Sequence, residues 1–218
     1  MRGKRAAAFW LTLCLVLSAG SAWAQEGFAA LNSQNGVTTP DVGAWLEIPG
    51  ASLLQPVMQH PEDDAFYQAH DARGSQSAAG ALYTQKTYNA ADFSDPVTII
   101  YGSSAHDLAP FGKLQELFSG SFDQCRTLYL HLPQETREYT VFAALPYSSI
   151  HILHYYDFRV ERRYNSFFSS VFSTRALGMH LDEDNKPAFG AGHVLILSAS
   201  LRGDHTQRYL VMAKQVTH

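Results

Sequence analysis

The chain has 218 residues, with 16 basic and 20 acidic side chains and a formal net charge of -4 at pH 7. This length is enough for one domain with a sizeable core, and the mildly acidic balance argues against nucleic-acid binding. Cysteine occurs only at positions 14 and 125, which predicts a core that is stable without a disulfide framework.

Residues 1–24 have the pattern of a secretory signal peptide. Basic residues near the start precede an apolar run over 6–19, and Ala22-Trp23-Ala24 supplies a small-residue cleavage site. The alternative is an uncleaved N-terminal anchor, because residues 6–24 are nearly long enough to span a bilayer. Both interpretations predict a secreted or cell-surface protein, and only the second one places it in a membrane.

The next segment, residues 25–40, has few large apolar side chains and is rich in Asn, Gly and Thr. This composition is typical of a flexible linker. We therefore predict that the folded domain occupies residues 41–218.

Within residues 41–218, the apolar pattern predicts a mainly β fold. Eight segments rich in aliphatic, β-branched and aromatic residues have the length and spacing of strands. Eight strands with few helices favour a closed or nearly closed β-barrel, because closure removes exposed sheet edges. The predicted strands are 45–48, 53–59, 81–88, 97–102, 126–132, 138–145, 194–200 and 208–216.

Three short helices are predicted around this barrel. Residues 61–70 begin with proline and three acidic residues within the first turn, as a helix N-terminus prefers. Residues 111–118 and 158–172 carry apolar side chains at helical spacing.

The last two predicted strands define a candidate site. Val194–Leu197 is a continuous aliphatic run, typical of a strand buried on both faces. After a short polar turn, β-forming residues resume at Tyr209–Met212. Two neighbouring strands joined in this way would present Ser200 and Arg208 at the same end.

The residues of this site resemble a known family. Leu195–Ser200, with the sequence LILSAS, is followed eight residues later by Arg208. This pattern resembles the LTLSTC strand and following arginine of class B sortases, the cysteine transpeptidases of Gram-positive surfaces. In this chain, Ser200 occupies the position of the nucleophilic cysteine.

A second signature of the family, YGHN followed by MFG and a leucine, is matched at unbroken spacing. Tyr101–Ser104 corresponds to its first part, and Phe111, Gly112 and Leu114 to the remainder. Ser103 therefore occupies the position of the family's histidine.

Weaker matches lie elsewhere. Residues 42–50 resemble the family's opening W-x-x-I-x-G, residues 55–59 its P-V-x-Q, and residues 80–83 its G-x-I-F. The resemblance covers about residues 42–214. It implies a sortase-type eight-stranded β-barrel with a few peripheral helices, including the class B helix before the penultimate strand.

The resemblance also implies a mechanism. In the family, a cysteine thiolate attacks the carbonyl after threonine in a sorting motif, a histidine handles the proton of the leaving amine, and an arginine stabilises the oxyanion or fixes the substrate. A serine hydroxyl needs an adjacent base, which Ser103 cannot supply and which Arg208 cannot become, since guanidinium stays protonated. We therefore expect a site that binds an extended sorting-signal, wall or pilin peptide without reacting with it.

Several alternatives stay open. His106 or His205 could serve Ser200 as a base, which would make a serine-dependent acyl transferase or hydrolase, or both could be exposed loop histidines. The two serines could instead plug a disused groove in a structural accessory protein. Arg208 could hold a peptide carbonyl or pair with an acid such as Asp204.

The sequence predicts neither a metal nor a cofactor. His151 and His154 are three residues apart, but no carboxylate or cysteine set accompanies them. Cys125 lies in no matching motif, and we expect it to be a small residue of the core or of a strand edge.

Overall fold

The structure is a computed structural model that describes residues 24–104, 109–120, 122–201 and 204–217, apart from the side chain of His205. The predicted signal peptide or anchor lies outside these residues except for its last residue, and so does His106. None of the described helices is both long enough and apolar enough to cross a membrane.

The described residues contain nine strands in one sheet. They are β1 (Val42–Ile48), β2 (Leu53–Met58), β3 (Leu82–Tyr83), β4 (Val97–Gly102), β5 (Thr127–His131), β6 (Thr136–Ser148), β7 (His180–Leu181), β8 (Val194–Leu201) and β9 (Asp204–Gln215). The helices are α1 (24–35), α2 (Leu114–Gly120), α3 (Ile152–Tyr155) and α4 (Glu161–Ser173), with 3-10 turns at Pro49–Ala51, Phe66–Gln68, Phe122–Cys125 and Glu183–Asn185.

Eight of the strands close into a barrel. Their order is β1-β2-β3-β4-β8-β9-β6-β5, and β5 pairs back with β1. The pairs β2–β3 and β4–β8 are parallel, whereas the other pairs of the ring are antiparallel. The short strand β7 adds to one edge of β6 outside the ring. The prediction of a mainly β, eight-stranded barrel is confirmed.

Alternate side chains of the strands belong to two buried clusters. One contains Leu195 and Leu197 of β8, draws on all eight barrel strands, and includes apolar residues of α2. It is the barrel interior. The other contains Val194 and Ile196 with the aromatic face of α4, and lies outside the barrel wall. Because both faces of β8 are covered, its sequence is continuously apolar rather than alternating.

The segment predicted as a flexible linker, residues 25–40, contains helix α1 instead. Phe28 and Leu31 pack against the outer cluster, and Asn32 Oδ1 accepts a 2.7 Å hydrogen bond from Trp45 Nε1. The composition was misleading because two apolar side chains at helical spacing are enough to attach such a segment to an existing surface.

The other predicted elements agree to different degrees. Helices α2 and α4 are both present, and each begins three residues later than predicted. The predicted helix over 61–70 is reduced to the turn Phe66–Gln68, because His60 Nδ1 and Asp63 Oδ1 accept hydrogen bonds from the backbone N–H groups that follow them. Such local bonds compete with helix formation.

Candidate functional site

The barrel brings three of the predicted site residues together. Ser200 on β8 lies directly opposite Arg208 on β9, which confirms that these two strands are neighbours. On the other side of β8, the parallel strand β4 places Gly102 beside Ala199, and Ser103 follows β4 directly. Ser103, Ser200 and Arg208 line one cavity of about 220 Å³, named here the Arg208 cavity. Gly102, Tyr83 and Gly80 also line it.

Arg208 is half-buried and held by two contacts. Its Nε–H donates a 2.7 Å hydrogen bond to Ser198 Oγ, and its guanidinium carbon lies 5.4 Å from the centre of the Tyr101 ring. Tyr101 in turn stacks on Tyr83 at 5.5 Å. Asp204, which the sequence offered as an ion-pair partner of Arg208, accepts hydrogen bonds from Thr206 and Gln207.

Both tyrosines of this stack are neutral over a wide pH range. Burial raises the pKa of Tyr101 and of Tyr83, and the nearby charge of Arg208 only partly opposes this rise. The Tyr101–Tyr83 stack next to Arg208 therefore stays uncharged at neutral pH. The phenol of Tyr83 can act as a hydrogen-bond donor in the cavity.

The ends of β4 and β8 are tied together at the site. Ser104 is 6% exposed, and its hydroxyl donates a 2.5 Å hydrogen bond to the backbone carbonyl of Ser200. The Ser103 carbonyl accepts a 2.9 Å bond from the N–H of Phe111. Ser200 itself is exposed, so its hydroxyl is presented on a backbone fixed from both sides.

Ser200 also lines a second cavity, of about 380 Å³, named here the α2 cavity. It is also lined by Ser104, by Ala199 and by Phe111, which precedes α2. Gln115 and Glu116 on the polar face of α2 form another wall. Ser200 therefore separates a cavity that contains a guanidinium from one that contains a carboxylate.

The described part of the chain places no histidine in the cavities beside Ser200. The two predicted substitutes, His106 and the side chain of His205, lie outside the described part of the chain, so a serine–histidine pair stays a prediction. Glu116 is the one described acidic residue that lines a cavity next to Ser200.

Sequence reasoning missed several residues of this site. Ser198 could have been inferred, because it lies two positions before Ser200 and therefore on the same strand face. Nothing in the sequence indicates that Glu116 belongs to this site, because α2 and the end of β8 line the same cavity only in the folded chain.

The remaining candidates lie elsewhere. His151 Nε2 is 2.9 Å from Gln85 Oε1, and its Nδ1 accepts from the His154 N–H. Within the described residues, no group of three or more His, Cys, Asp or Glu side chains could hold a metal ion. Cys125 is buried in the barrel interior, as predicted, and burial raises the pKa of its thiol.

Comparison with known proteins identifies the fold. No family model and no curated protein matches the chain. Among solved structures, sortase B of Clostridium perfringens is similar with a TM-score of 0.68 at 18% identity, over 82% of this chain and 96% of that one. A sortase B–substrate complex of Staphylococcus aureus gives a TM-score of 0.70 at 19% identity, over 92% and 96%.

A third similar structure is a class B sortase of Streptococcus pyogenes involved in pilus biogenesis. It gives a TM-score of 0.65 at 17% identity, over 81% of this chain and 92% of that one. The chain therefore has the fold of class B sortases, as the resemblance in its sequence predicts.

Proposed function

We propose that this protein is a sortase-like domain that no longer performs cysteine transpeptidation and binds an extended peptide at the Ser200–Arg208 site. The observation that carries the proposal is the shared cavity of Ser103, Ser200 and Arg208. Two of these residues replace the reactive groups that the resemblance implies, and the third keeps the group that would hold a substrate.

The absence of chemistry follows from the residue types. A serine hydroxyl is a weak nucleophile until a base removes its proton, and the adjacent Arg208 stays protonated in a protein. Nucleophile and base act as a unit, and the loss of either costs about a million-fold in a well-studied serine protease. The binding part of the site does not depend on either group.

The shape of the surface supports a peptide ligand. The Arg208 cavity meets the α2 cavity at Ser200 and meets a third cavity, of about 250 Å³, at Gly80 and Ala81. Gly80 lies where two of these cavities meet. Its φ is +64°, and a Cβ there would lie 2.6 Å from the Tyr67 carbonyl oxygen, so a side chain at this position would clash with the backbone. A row of cavities suits an extended chain, whose side chains can enter them in turn.

The partner and the location follow from the same proposal. One of the similar structures was solved as a complex with its substrate, and another belongs to a sortase involved in pilus biogenesis. We propose a sorting-signal, wall or pilin peptide as the ligand, and a secreted or surface-held protein whose residues 1–24 are its signal peptide or anchor.

Calorimetry with a panel of extended, threonine-containing pentapeptides tests this function. At least one peptide should bind, and Arg208→Ala should weaken its binding by about 1 to 3 kcal/mol, as expected for a lost hydrogen bond to a charged group. Arg163→Ala on the exposed face of α4 is the matched control and should leave the affinity unchanged. Binding to none of the panel would favour a structural accessory protein with an unused groove.

A further inference from the structure

We infer that the Arg208 cavity recognises a free carboxylate, namely the C-terminus of a peptide, rather than a carbonyl group within a continuous chain. This inference rests on the proposed peptide-binding function and names the chemical class of the ligand.

The charge of the cavity is the first argument. Among the described residues that line it, Arg208 is charged and none is acidic. A half-buried guanidinium that has no counter-charge among the described residues favours an anionic ligand, because its field is less screened than that of a surface charge. A neutral amide carbonyl would leave this charge uncompensated.

The orientation of Arg208 is the second argument. Its Nε–H is used by Ser198, and its plane is supported by Tyr101. The two Nη groups have no hydrogen-bond partner within the described residues. A guanidinium held in this way offers parallel N–H donors, which match the two oxygens of a carboxylate better than the single oxygen of a peptide carbonyl.

The lining supplies further donors for the same ligand. Ser103 and Ser200 line the cavity beside Arg208. Hydroxyl groups can donate to a carboxylate oxygen that an arginine does not reach. At position 200 a serine stands where the family has its nucleophilic cysteine, and at position 103 a serine stands where the family has its histidine. In this proposal, both serines stabilise the bound anion and neither attacks it.

Two acidic residues of the described chain lie near the cavity without lining it. Asp64 acts electrostatically on Tyr83 and Tyr101, but it does not line the cavity, and its carboxylate accepts a hydrogen bond from the Thr87 N–H. Glu116 lies in the α2 cavity on the other side of Ser200. A carboxylate ligand is therefore repelled from the α2 side and attracted to the Arg208 side.

Paired peptides test the inference. Each pentapeptide of the calorimetry panel is made twice, once with a C-terminal carboxylate and once with a C-terminal carboxamide, and both forms are titrated into the full mature chain. The carboxylate form should bind at least about tenfold more tightly. Arg208→Ala should abolish this preference, Arg208→Lys should keep part of it, and Arg163→Ala should leave it intact.

The outcomes separate this inference from the function on which it rests. Equal binding of both forms, or a preference that survives Arg208→Ala, would overturn the carboxylate inference and leave peptide binding in place. Binding of neither form would overturn both. A preference lost on Arg208→Ala, in a variant whose unfolding temperature is unchanged, would establish the terminal carboxylate as the recognised group.

Discussion

Arg208 on β9 donates its Nε–H to the hydroxyl of Ser198 on the neighbouring strand β8, at 2.7 Å. Ser198 is 1% exposed and lies two residues before Ser200, on the same face of β8. The direction of the guanidinium is therefore set by a hydrogen bond to a buried hydroxyl of the barrel wall.

Ser198→Ala should disturb both stability and binding. The substitution removes the acceptor of the Arg208 Nε–H, so we expect a loss of about 1 kcal/mol in the free energy of unfolding and weaker peptide binding. Urea denaturation and calorimetry measure the two effects. Ser169→Ala, which removes an exposed hydroxyl on α4, should change neither, and an identical result for both variants would show that Ser198 does not orient Arg208.

Ser200 should be accessible but unreactive. We expect no cleavage of sorting-type peptides and no labelling of Ser200 by a fluorophosphonate, because no base is assigned to it. Residue 200 is exposed, so the variant Ser200→Cys should be alkylated readily by iodoacetamide. This reaction is the control that shows that reagents can reach position 200.

Stoichiometric fluorophosphonate labelling that Ser200→Ala abolishes would instead establish a serine enzyme. The variants His106→Ala, His205→Ala and Glu116→Gln would then identify the base, because each removes one candidate acceptor of the serine proton.

Gly102 should be intolerant of any side chain. A Cβ at this position would lie 2.4 Å from Phe111 Cδ2 and 2.7 Å from Leu82 Cδ2, in the barrel interior beneath the site. Gly102→Ala should therefore destabilise the protein by about 1 to 3 kcal/mol in urea denaturation, as overpacked cores do. At Gly120, a Cβ would meet nothing within 4 Å, so Gly120→Ala should be tolerated; equal effects of the two variants would contradict this packing.

Asp182 should contribute stability that depends on pH. Its pKa is lowered from the ordinary value by the Asn185 side chain and by the ion pair with Arg126. Because the pKa is lower in the folded state, the contribution is complete above the unfolded pKa of about 4 and is lost as the pH falls through the folded value.

Asp182→Asn should therefore lower the free energy of unfolding at pH 7 by up to about 1 kcal/mol, and the difference should shrink below pH of about 4. Thermal denaturation across this range measures it. A difference that stays constant with pH would show that the carboxylate charge is not involved.

Much of the architecture could be predicted because strand signals are local. The aliphatic run at Val194–Leu197 and its resumption at Tyr209–Met212 predict that Ser200 and Arg208 share one end of two neighbouring strands, and the two residues do pair across β8 and β9. Alternation and turn residues are sufficient to predict that β8 and β9 are neighbours, since each strand carries its own pattern. Ser103, in contrast, is expected at this site only from the resemblance to the family's YGHN signature.

The parts that could not be predicted depend on tertiary contacts. Helix α1 is attached through Asn32 and Trp45, which are distant in sequence. Strand β7 has two residues, too few to show any alternation. Glu116 shares a cavity with the end of β8 only because of how α2 packs in the folded chain. The opposite charges on the two sides of Ser200 could therefore not be predicted from the sequence.

The double variant Ser103→His, Ser200→Cys tests most directly whether the chemistry was lost through these two residues alone. It should place an imidazole and a thiol beside Arg208 in one cavity, and with a suitable sorting peptide it should form a thioester at position 200. Mass spectrometry would show a hydroxylamine-sensitive increase on that residue in the double variant and in neither single variant. A correctly folded double variant that forms no adduct with a broad peptide panel would contradict the account, because the groove itself would then differ from that of an active sortase.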